Sequence, residues 1–305
     1  MSFLDWPKSL RQTLIKEAAK YYVISDVFVE KDLWAIGLLK RVLSLHPDLV
    51  FKGGTSLSKC HHIINRFSED IDISLTKPHY PVGERRKLVH GIEKIIAEEG
   101  MTLQTPPEQI RSRRAFNRYV ANYDTVTAGT STEKTVILEL ACQTPCFPME
   151  KGEVQTFVGE FLEATGKVDL AKELGLEKFE LNVQALERTF VDKVFALCDY
   201  HISKKLRRQS RHVYDLFQIL PKIQLDDSLR DLFLEIRDIR RPLPNCYSAQ
   251  EGMSLAALLQ EALDQETFKG DYEARTFPLL YDRVTYEQCV PALKRIVAFL
   301  KGRSL

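Results

Sequence analysis

The sequence predicts an α/β (α+β) chain, with a sheet flanked by helices in residues 1–150 and a mainly α-helical lobe in 151–305. Three observations predict it. Short apolar runs alternate with amphipathic, helix-length stretches as far as Cys142. The pair Gly53-Gly54 ends one such run, and the next carries Asp70-Ile71-Asp72. Beyond Pro145 and Pro148 the apolar residues recur almost throughout at helical spacing.

Leu10, Leu14, Ala18 and Tyr21 predict a first helix over residues 8–23, and Phe28, Leu33, Ile36, Leu39 and Leu43 predict a second. His46-Pro47-Asp48 breaks that pattern, and Leu49, Val50 and Phe51 form a short strand running into Gly53. Leu57, Cys60, His61 and Ile64 give the next segment an apolar stripe, which predicts a helix before the Asp70-Ile71-Asp72 strand. Val89, Ile92, Ile95 and Ile96 mark another amphipathic helix, closed by Gly100, because glycine enters left-handed backbone without a steric cost. Strands follow near Ala115–Tyr123 and Thr135–Cys142. The domain boundary is expected at 148–153, in Pro148-Met149-Glu150-Lys151-Gly152. Helical segments then occupy 184–207, 211–220, 226–238, 254–265 and 284–300.

Bulk composition narrows the partners little. The 305 residues carry 43 Lys plus Arg against 42 Asp plus Glu, so any nucleic-acid affinity has to come from local patches. The six cysteines are scattered without paired spacing, which predicts reduced thiols rather than a disulfide framework. No apolar run approaches membrane-spanning length and the first residues lack the pattern of an export signal. The expectation is a soluble, cytoplasmic protein with no membrane partner.

The chemistry starts from the strand. Alternate side chains share a face, so Asp70 and Asp72 project together while Ile71, Ile73 and Leu75 turn to the other side. Adjacent carboxylates repel, and a divalent cation offsets that cost. Magnesium sites combine one or two carboxylates with substrate phosphates. Gly53 and Gly54 have no Cβ, so their backbone N–H groups can approach a phosphate closely. Lys59 lies on the helix that the glycines open, where a cation adds to the helix N-terminus. Glu139 sits between Leu138 and Leu140 on a later strand and offers a third carboxylate. These features point to a nucleotide triphosphate with one or two Mg²⁺ ions.

The string Phe51-Lys52-Gly53-Gly54-Thr55-Ser56-Leu57-Ser58-Lys59, continuing through Arg66-Phe67-Ser68-Glu69-Asp70-Ile71-Asp72, resembles the AbiEii/AbiGii (MenT-like) toxins of the DNA polymerase beta-type nucleotidyltransferase superfamily. Glu30-Lys31-Asp32-Leu33-Trp34, Val136-Ile137-Leu138-Glu139-Leu140, Asp192-Lys193-Val194-Phe195-Ala196-Leu197 and Arg211-His212-Val213-Tyr214-Asp215-Leu216 resemble further family motifs. The resemblance runs from residue 28 to about 220 and implies a nucleotidyltransferase-fold lobe with a mixed sheet, completed by the helical lobe. It implies catalytic roles for Asp70, Asp72, Lys193 and Asp215, nucleotide contacts from Gly53, Gly54, Thr55, Ser56, Lys59, Arg66 and Ser68, and metal ligation by Asp70, Asp72 and Glu139. One departure is visible: His212 stands where the family usually has Asp.

The resemblance also implies a toxin that moves NMP from an NTP to the 3′ acceptor end of tRNA. Blocked aminoacylation then stops growth, in the setting of phage defence, until an antitoxin from the same operon intervenes. Two other readings stay open: nucleotidyl transfer to a small-molecule or protein acceptor, and a GTP- or partner-binding toxin acting by sequestration. Lys204, Lys205, Arg207, Arg208 and Arg211 place five cations within eight residues, a candidate RNA contact whose plainer reading is a solvated face. Arg111, Arg113, Arg114 and Arg118 form a second such cluster. Plainer readings accompany other residues too: Lys193 as a lysine at a helix edge, Asp215 as a helix-surface partner of Arg211, and Cys60-His61-His62 as ordinary structure.

Overall fold

The computed structural model describes residues 6–66, 68, 70–77, 80–111, 116–127, 134–142 and 144–302. Two compact units divide the chain: Met1–Cys60 with Ser68–Val183, and His61–Phe67 with Gln184–Leu305.

The first unit is built on a mixed sheet. Its elements are α1 (Lys8–Tyr22), α2 (Asp26–Leu43), β1 (Leu49–Lys52), α3 (Gly53–Lys59), β2 (Asp70–Leu75), α4 (Val82–Glu98), β3 (Thr102–Leu103), β4 (Phe116–Asn122), β5 (Thr135–Ala141), β6 (Met149–Val154), α5 (Phe157–Ala164), α6 (Val168–Glu173) and β7 (Phe179–Gln184). The strand order is β3-β4-β5-β2-β1-β7-β6. β2 runs parallel to β5 and antiparallel to β1, and β1 runs parallel to β7. The strand alternation explains the layering. Ile71, Ile73, Val136, Leu138 and Leu140 are all buried and share one core with Trp34, Leu38 and Leu39 of α2 and Ile92 and Ile96 of α4. The acidic residues therefore lie on the opposite face of β2 and β5.

Polar staples hold α2. Ser25 Oγ accepts from Val27 N at its start. Buried Glu30 accepts from Val126 N at 2.7 Å and from Thr125 Oγ1 and Thr127 Oγ1, each at 2.6 Å. Asp32 accepts from Phe157 N at 2.7 Å and pairs with Lys59 Nζ at 2.8 Å. Glu30 and Asp32 of that motif thus act here as scaffold.

Two sequence expectations meet a different arrangement. The helix expected through Ile64 stops at Lys59, since His62 has a φ of 52° and His61 Nε2 hydrogen-bonds Gln184 O. The stretch expected to link two domains lies within β6, so strand pairing extends past Pro148 to β7. No helix among the described residues is long and apolar enough to cross a membrane.

The second unit is helical: α7 (Leu186–Ser203), α8 (Arg211–Ile219), α9 (Asp227–Arg240), α10 (Leu255–Asp264), the short α11 (Lys269–Asp271) and α12 (Tyr286–Lys301). α7 packs on α8, α9 and α10, and α12 packs on α8 and α10. Phe190, Phe195, Val213, Leu216, Phe233, Leu259 and Ile296 are buried there. A capping box at Thr285 and Gln288 starts α12 by satisfying orphan N–H groups from both directions.

Candidate active site

In the sheet unit the acids form part of a row that crosses four strands. Lys52 on β1 is the register partner of Asp72 on β2. Asp72 in turn partners Glu139 on β5, and Glu139 partners Arg118 on β4. Register partners in neighbouring strands share a face, so the row reads cation, acid, acid, cation. Asp70 lies two residues along β2 on that same face. The Arg118 Nε to Glu139 Oε1 distance is 3.4 Å. Burial, then the charges of Asp72 and Asp70, push Glu139 up to about 7, against the opposing pull of Arg118.

Gly53 makes this packing possible. Its φ is +80°, and a Cβ there would stand 2.0 Å from Asp72 Oδ2. The carboxylate of Asp72 therefore rests directly on bare backbone. Thr55 Oγ1 donates to Asp70 O at 2.5 Å and lies 3.1 Å from Ser68 Oγ, which ties the first turn of α3 to the start of β2. Ser56 Oγ donates to Gly53 O at 2.9 Å.

The donor set suits a hard divalent cation: carboxylate oxygens only, with Glu139 raised by its burial and then by the charges of Asp72 and Asp70. Among the described residues no three His, Cys, Asp or Glu side chains are drawn into a closed metal cluster. The fit is one of charge and donor chemistry.

Lys59 is placed away from this face. Its ammonium is 2.8 Å from Asp32 Oδ1, donates to Gln155 O at 3.2 Å and lies 3.5 Å from the centroid of the Phe157 ring. The side chain is only 6% exposed, so the charge expected to meet a triphosphate is taken up inside the unit. Asp32 is raised by its burial, with Lys59 opposing the shift.

In the helical unit a second charged cluster forms around Asp215, which is fully buried. Arg66 Nε and Nη2 donate to its two oxygens at 2.8 and 2.9 Å, and Lys193 Nζ donates at 2.7 Å. Burial would raise the Asp215 carboxyl, but Arg66 and Lys193 outweigh it and hold the group far below its usual range. For Lys193 the order reverses: burial lowers it against the pull of Asp215. We take the carboxylate as ionised, since one anion faces two cations. Arg66 and Asp215 are thus partners of each other.

His212 stacks on Tyr200 at 5.9 Å, and its Nδ1 lies 3.4 Å from Lys193 Nζ. Burial, then Lys193 and Arg211, lower it well below the usual histidine value, so the neutral ring accepts from Lys193. The acceptor that an aspartate would supply is kept while its charge is lost.

Lys204, Lys205, Arg207 and Arg208 are exposed and Arg211 is half-buried. Asp271 fixes their loop by accepting from Arg208 N at 3.0 Å and from Ser210 N at 3.2 Å. Lys204 and Arg208 take positive φ values of 55° and 65°. Of the second basic cluster, Arg113 and Arg114 lie outside the described residues. Sequence reasoning attached neither Lys52 nor Arg118 to the acids, because cross-strand register has no signal within either segment.

A family model described as "Nucleotidyl transferase AbiEii toxin, Type IV TA system" matches residues 37–298. No curated protein matches the chain. Among solved structures the fold is similar to MenT4, a nucleotidyltransferase toxin from Mycobacterium tuberculosis H37Rv, at a TM-score of 0.60 and 19% identity over 97% of this chain and 90% of that one.

Proposed function

The chain belongs to the AbiEii family of nucleotidyltransferase toxins of type IV toxin–antitoxin systems, and on that footing we propose that it transfers NMP from an NTP to the 3′ end of tRNA with Mg²⁺ as its cation. The observation that carries the reading is the row of acids on β2 and β5, with Asp72 lying against the bare backbone of Gly53. Asp70 and Asp72 would hold the cation, with Glu139 beside them. When bound, that ion neutralises charge at the α-phosphate and lowers the pKa of the attacking hydroxyl.

The protein's own groups do the rest. Backbone N–H groups at Gly53, Gly54 and Thr55 orient the triphosphate, with Ser56 and Ser68 fixing that turn. The acceptor hydroxyl oxygen forms a new bond to the α-phosphorus, the bond from that phosphorus to the bridging oxygen breaks, and pyrophosphate leaves. Glu139, the carboxylate next to Asp72 in the row, is proposed to accept the hydroxyl proton. Lys193 is proposed to serve the reaction as a cation, with Asp215 keeping it charged and Arg66 sharing that carboxylate. Positioning and electrostatics supply most of the rate in such transfers.

The exposed run from Lys204 to Arg208 supports an RNA acceptor. The family implies a cognate antitoxin, which we propose is encoded in the same operon. Incubating the protein with Mg²⁺, total tRNA and each labelled NTP in turn tests the reading. Label at the tRNA 3′ end, with a loss of about a hundred- to a thousand-fold in folded Asp70→Ala, is the expected result. Growth arrest retained by folded Asp70→Ala would overturn it and favour sequestration. Label on a small molecule or protein alone would reassign the acceptor.

A further inference from the structure

The acidic row has two different ends. Lys52 closes it on β1, beside Asp72, and Arg118 closes it on β4, beside Glu139. Neighbouring strands stand about 4.8 Å apart, so the two ends are roughly 14 Å from each other at the backbone. Arg118 is engaged, its Nε lying 3.4 Å from Glu139 Oε1. Lys52 is half-buried, and its ammonium makes no hydrogen bond or ion pair among the described residues.

The strand sets the direction of that lysine. Phe51 belongs to the core shared with α2 and α4, so Lys52 projects to the other face, with Asp72. Two residues back on that face, Val50 and its register partner Ser74 are buried, whereas Lys52, Asp72 and Glu139 are partly exposed. The face is thus closed at Val50 and opens at Lys52. The next residue, Gly53, is the bare backbone on which Asp72 rests. Lys59 does not supply a cation here, since it is turned inward on Asp32.

In-line displacement puts the attacking and leaving oxygens on opposite sides of the α-phosphorus. Transfer as proposed above brings the hydroxyl in beside Glu139, on the β5 side of Asp72. The leaving oxygen then lies on the β1 side, with Lys52 and the glycine turn.

We propose that Lys52 is a further catalytic residue, the cation that receives the departing pyrophosphate. The inference rests on the transfer reading and adds a direction to it, with the acceptor towards β5 and the leaving group towards β1. As the hydroxyl oxygen bonds to the α-phosphorus, the bond from phosphorus to the bridging oxygen breaks and its electron pair stays on pyrophosphate. That oxygen gains negative charge in the transition state, so an ammonium beside it stabilises the transition state more than the bound NTP.

Calorimetric titration of the full-length protein with magnesium pyrophosphate tests the assignment without turnover. Wild type should bind, and Lys52→Gln should bind about ten- to a hundredfold more weakly, the effect of losing a hydrogen bond to a charged group. Lys52→Arg should recover most of that affinity, and Lys52→Met serves the same comparison should Lys52→Gln not fold. In NMP transfer Lys52→Gln should lower kcat by a similar factor and leave the acceptor KM unchanged. Wild-type pyrophosphate affinity in a folded Lys52→Gln or Lys52→Met, or a rise in acceptor KM in place of the fall in kcat, would overturn the assignment. So would a wild type that transfers NMP without binding pyrophosphate, and the transfer reading would stand in each case. Lys52-dependent pyrophosphate binding by a protein that labels no tRNA would uphold Lys52 and overturn the acceptor alone.

Discussion

Gly53 combines a backbone conformation that side chains resist with a carboxylate lying where its Cβ would be. The two effects separate in a Gly53→Ala variant. Left-handed backbone costs a non-glycine residue about 1–2 kcal/mol, which should appear as a modest loss of stability. The methyl must also displace Asp72, so NMP transfer should fall by a factor of about a hundred or more, beyond what a 1–2 kcal/mol loss of folded protein explains. Transfer tracking stability alone would contradict this. Glu139 carries the pH dependence of the same face. Its pKa is raised to about 7, so the metal-free fold favours its protonated form, and that stabilising contribution is lost as pH rises through about 7. A cation acts in the opposite sense, because it binds the ionised acid. Added Mg²⁺ should therefore raise the Tm more at about pH 8 than at about pH 6, and equal shifts would count against metal binding by these acids.

Between elements, Asp215 joins α7, α8 and the segment 61–67 through Lys193 and Arg66. Asp215→Asn would leave two buried cations without their anion, at a cost of about 3–5 kcal/mol. Urea denaturation should show that loss, whereas an unchanged midpoint would mean the cluster is not closed in solution. How far elements could be read from the sequence varied with their patterning. β2 and β5 were legible because their apolar residues alternate, and the shared face of Asp70 and Asp72 follows from that alternation alone. β6 was not, because Met149-Glu150-Lys151-Gly152-Glu153-Val154 is largely exposed and lacks that pattern. β7 does alternate, with Phe179, Leu181 and Val183, and the helical periodicity around it masked the signal. The inward turn of Lys59 was hidden for another reason: its partner Asp32 lies 27 residues earlier, and no local pattern records the pairing.

For the whole molecule, 43 basic and 42 acidic residues give no general attraction to RNA, so the local run from Lys204 to Arg208 has to carry any backbone contact. Replacing Lys204, Lys205, Arg207 and Arg208 by alanine should weaken tRNA binding and flatten its salt dependence, the slope falling by about 0.7–0.9 for each phosphate no longer neutralised. An unchanged slope would remove this loop from the interface. The path of the chain carries a further consequence. Residues 61–67 belong to the helical unit yet are inserted between α3 and β2 of the other. A fragment beginning at Gln184 would contain Asp215 and Lys193 without Arg66, whose partner lies 149 residues downstream. During synthesis, likewise, the Arg66 guanidinium must wait for α8 to emerge before its buried pairing can form. No single cut yields the helical half with its charges satisfied, so the toxin is made whole or left with a lysine and an aspartate in search of a third ion.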